Sequence, residues 1–189
     1  MWQEIRKYGQ KLVAYGLNHS HFGNISVRLG SKLLITKSGS LLDEIDEQMV
    51  VEVPLEKAAD FDANASIETV VHRKIYLKTT ARAVIHVHSP FAAVESMLAN
   101  SSVLVPEDME SKYFMYEIPI VTGEAGSIEL AENVAEAIVD HKAVIAKGHG
   151  SFAAGRSLEE TYINACSVEH ICMLKYFYEL KMTVPPLFK

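Results

Sequence analysis

The sequence predicts an α/β layered domain built on a central, partly antiparallel sheet. Three observations carry this: short apolar runs alternate with longer segments of helical periodicity, the connections are short, and the first strands follow one another closely enough to form hairpins. The chain has 189 residues, 49% of them apolar. That is enough to bury one full core, so a single domain over 1–189 is expected.

The elements follow in order. Ile5, Tyr8, Leu12 and Tyr15 mark the inner face of a first helix that Gly16 can terminate. Strands are expected over Asn24 to Arg28, Lys32 to Lys37 and Met49 to Val53, with a Ser38-Gly39-Ser40 turn after the second. Helices are expected from Ile67 to Lys78, Pro90 to Leu98, Ile128 to Asp140 and Ser157 to Lys181. Further strands are expected at Ala83 to Ser89, Ala143 to Lys147 and Ser151 to Ala154. Ser157-Leu158-Glu159-Glu160 has the form of a capping box. Asn100 to Glu110 reads as the longest irregular stretch, bordering a site.

Composition excludes several classes. A net charge of −6 argues against nucleic acid, which needs a basic face. There is no apolar stretch long enough to cross a membrane, and Met1-Trp2-Gln3-Glu4-Ile5 opens an amphipathic helix rather than a signal peptide. Cys166 and Cys172, six apart on one expected helix, point away from each other and read as small core residues in a reducing cytoplasm.

The residues that carry chemistry stand in Ala83-Val84-Ile85-His86-Val87-His88-Ser89. Residues two apart on a strand share a face, so His86 and His88 project side by side, roughly 6–7 Å apart at the backbone. Ile85 and Val87 take the packing face. Two imidazoles on one face of an apolar strand favour metal ligation over two coincident core histidines, because neutral imidazole is a common metal ligand. A zinc site needs a third protein ligand. His19 and His21 lie in a polar turn without a strand to align them, His141 suits the end of a helix, and His170 belongs to packing or surface. His149, in Gly148-His149-Gly150 after an apolar strand, is the best third candidate, since flanking glycines let the backbone aim its ring at a site. Ser66 is placed as a helix N-cap, with Glu68 in the first turn; a carboxylate there has the bland reading of complementing the helix dipole. His72, four residues on, could support it from the same face.

Five motifs in order then resemble the class II aldolase and adducin-head family: Gly23-Asn24-Ile25-Ser26-Val27-Arg28, Ile35-Thr36-Lys37-Ser38-Gly39, Ser66-Ile67-Glu68, His86-Val87-His88-Ser89-Pro90 and Gly148-His149-Gly150. The resemblance covers nearly the whole chain. It implies a three-layer α/β/α fold around a largely antiparallel sheet, zinc or another divalent metal on His86, His88 and His149, and Glu68 as an acid/base that also ligates the metal when substrate is absent. It implies that Asn24, Ser38, Gly39 and Ser66 hold a substrate phosphate, which suits the preference of phosphate for amides, hydroxyls and helix N-termini. The implied activity is cleavage of a short ketose phosphate to dihydroxyacetone phosphate and an aldehyde through a zinc-stabilised enediolate, in a cytoplasmic homotetramer. Sister reactions, namely epimerisation, decarboxylation and methylthioribulose-phosphate dehydration, use the same ligands. A non-catalytic module like the adducin head is a different class of reading, and the three histidines with Glu68 argue against it.

Three departures bear on the implication. Ile67 stands where sugar-phosphate members often have a second serine, which removes a phosphate donor. The segment Pro119-Ile120-Val121-Thr122-Gly123-Glu124 lacks the tyrosine of some aldolases, for which Tyr113 and Tyr116 are the nearest substitutes. The chain ends soon after Pro185-Pro186, without the longer tail that supplies another tyrosine.

Overall fold

The protein's computed structural model describes residues 1–56 and 60–183; Pro185-Pro186 lies outside them. β1 (Asn24–Leu29) and β2 (Lys32–Thr36) form the antiparallel hairpin expected from their spacing, and β3 (Val50–Pro54) extends it. On its other edge β1 pairs antiparallel with β4 (Ala83–Val87), placing Asn24 opposite His86. β4 pairs with β8 (Gly150–Gly155), which turns back along β7 (Ala143–Ala146). Two strands complete the sheet: β6 (Ile118–Val121), parallel to β7, and the short β5 (Val103–Leu104). The order is β3-β2-β1-β4-β8-β7-β6-β5, with β6 and β7 the one parallel pair among the described strands.

Helices cover both faces. Alternation along β4 sends Ile85 and Val87 into one core, shared with Ile5, Tyr8 and Leu12 of α1 (Trp2–Ala14) and with Leu158, Ala165 and Val168 of α6 (Leu158–Thr183). Val84 enters the other core, between Val71, Ile75 and Tyr76 of α2 (Thr69–Lys78) and Leu130, Ala131 and Val134 of α5 (Ile128–Ala137). The result is the three-layer α/β/α arrangement around a mostly antiparallel sheet. α3 (Pro90–Leu98) packs on α6, whose Glu169 accepts the Phe91 and Ala92 amides at 3.1 and 3.0 Å. That buried carboxylate satisfies α3's first free N–H groups, since Ser89 makes no side-chain cap.

Several expectations need correction. Tyr15 is half exposed and caps α1 rather than joining its buried face, because Gly16, at φ +82°, turns the chain away one residue later. Asn100 to Glu110 is not irregular throughout: it supplies β5 and the start of α4 (Met109–Met115), which Asp108 caps by accepting the Ser111 amide at 2.9 Å. β6 carries Pro119, a residue that ordinarily argues against an interior strand; the ladder bond to β5 is made by the Ile120 amide to the Ser102 carbonyl, and the register with β7 starts only at Ile120, so the position of Pro119 needs no N–H. At α6, Ser157 Oγ accepts the Glu160 amide at 3.1 Å, while the Glu160 carboxylate reaches the amide of Arg156 rather than of Ser157. Cys166 and Cys172 are free thiols.

Candidate metal centre

His86 and His88 stand at the carboxyl end of β4, on the face opposite Ile85 and Val87, as the period-2 pattern requires. His149 reaches them because Gly150 follows it. A Cβ on Gly150 would fall 2.1 Å from the Val87 carbonyl oxygen, and its φ is +154°, so only glycine lets the β7–β8 turn lie against β4. The ring centroids of the three histidines are then 4.6 to 4.9 Å apart, and one nitrogen from each lies within 4.8 Å of the others.

Hydrogen bonds and burial prepare these rings for a cation. His86 Nδ1 contacts the Ser151 carbonyl oxygen at 3.1 Å. A carbonyl only accepts, so the proton sits on Nδ1 and the lone pair on Nε2, which is buried and has no partner. Burial lowers the pKa of His86 far below its usual value, with His149 and His88 adding to the effect, and lowers that of His88 to about 4; burial also lowers that of His149. All three are neutral at pH 7. Phe152 stacks on His86 at 4.1 Å and Phe22 on His88 at 4.9 Å, holding the planes of both rings.

Glu68 completes the cluster. It is 2% exposed, and its Oε1 lies 3.9 Å from His149 Nε2 and accepts the Gly126 amide at 3.1 Å. Burial raises its pKa to about 7 against the lowering effect of that bond. Its Oε2, like His149 Nδ1, is buried and unpartnered. Neutral nitrogens converging beside an unsatisfied carboxylate oxygen fit a divalent, borderline-soft metal ion. Among the described residues, His86, His88 and His149 are the one group with that arrangement.

A cavity of about 280 Å³ opens beside these groups, and Asn24, Ser38, Gly39 and Ser66 line it together with His86, His88, His149 and Glu68. Asn24 arrives there from its register opposite His86, and the Ser38 turn is tied to the Ser66 segment by the bridge between Lys37 and Ala65. Ser66 is not the cap of α2. Glu68 itself occupies that position and the helix starts at Thr69, so the carboxylate meets the Gly126 loop instead of the first-turn amides. Ser66 Oγ accepts the Glu68 amide at 3.3 Å, leaving its own proton available.

His72 does not support the Glu68 carboxylate; its Nδ1 pairs with Ser26 Oγ at 2.7 Å, which also pairs with Tyr76. The ring is directed into the core, where its edge meets Phe152. Lys37 and His21 line the cavity, whereas Tyr113 and Tyr116 are exposed on and after α4 and do not. His170 is exposed, and His141 bonds to the Ala137 carbonyl and Glu117. Sequence reasoning missed Phe22, Phe152 and Gly126. The β8 alternation pointed at Phe152; nothing marked Gly126, which acts through its backbone.

Comparison with known proteins meets this geometry from another side. The model of the class II aldolase and adducin N-terminal domain matches residues 3–176. An L-fuculose phosphate aldolase of Methanococcus maripaludis (strain C7) is 32% identical over 156 residues, covering 82% of this chain and 84% of that protein. A methylthioribulose-1-phosphate dehydratase of Methylococcus capsulatus is 26% identical, over 94% of this chain and 91% of its own length. The crystal structure of L-fuculose-1-phosphate aldolase from Thermus thermophilus superposes with a TM-score of 0.91 at 34% identity, covering 98% of both chains. With a family match over most of its length and relatives above 30% identity, the chain belongs to the class II aldolase and adducin N-terminal domain family.

Proposed function

We propose that the chain is a zinc-dependent aldolase that cleaves a short ketose phosphate to dihydroxyacetone phosphate and an aldehyde. The observation that carries this is the geometry at Glu68: a carboxyl group 2% exposed, whose burial raises its pKa, set 3.9 Å from one of three converging histidines where it can give and take a proton. His86, His88 and His149 would hold the ion, with Glu68 joining them when substrate is absent. When bound, a divalent ion supplies Lewis acidity toward a substrate carbonyl oxygen.

The remaining work falls to the chain's own groups. Cleavage moves one proton overall: the hydroxyl that becomes the aldehyde oxygen gives up its proton to solvent as the carbon–carbon bond breaks, the electron pair stays on the carbon beside the carbonyl, and Glu68, protonated, delivers a proton there. In the reverse direction its carboxylate removes the same proton and the new hydroxyl takes one from solvent. The 2% exposure of Glu68 keeps bulk water from competing. Asn24, Ser66 and the Ser38-Gly39 turn would bind the phosphate, with Ser66 donating the proton that its contact with the Glu68 amide leaves free. Lys37 adds charge at the same wall. The fuculose-phosphate aldolase relatives support a phosphorylated sugar as substrate.

We place this single domain in a cytoplasmic homotetramer. Exposed Leu98, Ile128, Tyr113 and Tyr116 supply apolar surface for self-association, and the free thiols suit a reducing compartment. Methylthioribulose-phosphate dehydration is the second reading, supported by the dehydratase relative that is 26% identical over 94% of this chain.

Deuterium uptake from heavy water into dihydroxyacetone phosphate, followed by proton NMR with the zinc-loaded protein, tests the proposal. Stereospecific exchange that falls at least about a hundredfold in Glu68→Gln is expected. Exchange that survives the substitution would remove Glu68 from its role; metal binding without exchange in the unaltered protein would remove the aldolase reading and turn the search to the dehydration substrate.

A further inference from the structure

Asn18, in the turn between α1 and β1, is a buried polar side chain that the proposed chemistry leaves unused, and the role assigned to it rests on reading the three histidines as a metal site. It is fully buried, although it belongs to a polar surface turn. Its Oδ1 accepts the His88 amide at 2.9 Å. That amide lies one residue past Val87, where the ladder to β8 ends, so the side chain of Asn18 takes the place of a strand partner.

Its other arm explains why the turn has this shape. Asn18 Nδ2 is buried without a partner, and a Cβ on Gly23 would fall 2.2 Å from it and 2.7 Å from the His86 carbonyl oxygen. The carboxamide, Gly23 and the main chain of both histidines therefore share one contact with no spare volume. Phe22, next to Gly23, lays its ring against His88 at 4.9 Å and 20°. The turn thus grips His88 twice, at its backbone through Asn18 and at its ring through Phe22. Nδ2 has no partner among the described residues, so the bond that Asn18 contributes to this contact is the one to the His88 amide.

We propose that Asn18 is a positioning residue for the metal centre, fixing the backbone of His88 so that its ring converges with those of His86 and His149. Groups that orient metal ligands without touching the ion change affinity and coordination geometry, whereas a residue that only supports the fold changes stability alone.

The test uses Co2+ as probe on the full chain, comparing the unaltered protein with Asn18→Ala and Asn18→Asp. Affinity is read by competition with a chromophoric chelator, geometry from the visible absorption of bound Co2+, and metal-free stability from urea unfolding. Asn18→Ala is expected to weaken Co2+ binding by about 10- to 100-fold and to alter the spectrum. Asn18→Asp, which keeps the acceptor for the His88 amide, is expected to restore affinity to within about threefold of the unaltered protein. If the alanine variant does not fold, Asn18→Ser, whose hydroxyl is too short to reach the same amide, takes its place under the same criteria. Unchanged affinity and spectrum in Asn18→Ala or Asn18→Ser, whatever happens to stability, would overturn the inference alone. An unaltered chain that binds no Co2+ would overturn the metal-site reading and the inference with it.

Discussion

Replacing Gly150 by alanine should damage the metal centre without touching any group that bonds to an ion or substrate. The new methyl carbon would lie 2.1 Å from the Val87 carbonyl oxygen and 3.0 Å from His88 Cα, both backbone atoms of β4 and its end. Relief requires the β7–β8 turn to move away from β4 by about 1 Å, the distance to an ordinary van der Waals contact. The φ of +154° adds strain that no side-chain rotation relieves. Overpacking and backbone strain together cost about 2–4 kcal/mol. For a chain of this size that lowers Tm by roughly 5–15 °C. Because His149 precedes Gly150, the same displacement separates its ring from those of His86 and His88, and a misplacement of about 1 Å is expected to slow exchange by about a hundredfold. The assay pairs urea unfolding of the metal-free protein with metal affinity and the deuterium-exchange rate. Gly148→Ala is the control: its methyl meets only the flexible Met97 side chain at 3.3 Å, at a φ of +68°, and should cost about 1 kcal/mol. Equal behaviour of the two variants, or a Gly150→Ala protein within about 0.5 kcal/mol of the unaltered one, would refute the close-approach argument.

Two further outcomes are expected. The metal-free protein should lose stability as pH falls below about 6.5, because burial lowers the His72 pKa to about 3 and the unfolded chain then binds a proton that the folded one refuses. His86 and His88 act in the same direction, while Glu68, raised from 4.5 to about 7, opposes them by losing stability as pH rises across that interval. In His72→Gln the slope of unfolding free energy against pH between 6 and 4 should become shallower by up to about 1.4 kcal/mol per unit; an unchanged slope would remove His72 from this account. Chelation should abolish exchange and lower Tm while leaving the far-ultraviolet circular dichroism intact, since neither apolar core includes His86, His88, His149 or Glu68; metal at a thousandfold excess over its Kd adds about 4 kcal/mol. Loss of secondary structure on chelation would make the ion structural instead.

How much of this was legible in the sequence depends on whether a residue acts through its side chain or its backbone. His86 and His88 could be read because a strand fixes side-chain direction by parity, and His149 because glycines on both sides mark an unusual path. The layers followed from periodicity, with Ile85 and Val87 on one side and Val84 on the other. Ser66 was misplaced because a serine two residues before a helix cap carries the same signal as one at the cap itself. Gly126 was invisible: any residue offers an amide, and only the tertiary approach of its loop to Glu68 makes this one matter. β6 was hidden by Pro119, whose missing N–H is tolerated because the Ile120 amide makes the bond to β5 and the pairing with β7 begins only at Ile120.

The strand order also has a temporal consequence. His86 and the carbonyl that orients it, on Ser151, are 65 residues apart, and they meet only when β8 pairs with β4 across the middle of the sheet. A chain emerging from a ribosome therefore presents a two-histidine strand long before the third ring exists, and two imidazoles bind a divalent ion weakly. Ion uptake would come after the slow, non-local pairing step rather than nucleate it. An ion held there would act as a latch on a finished sheet, slowing unfolding far more than it speeds folding.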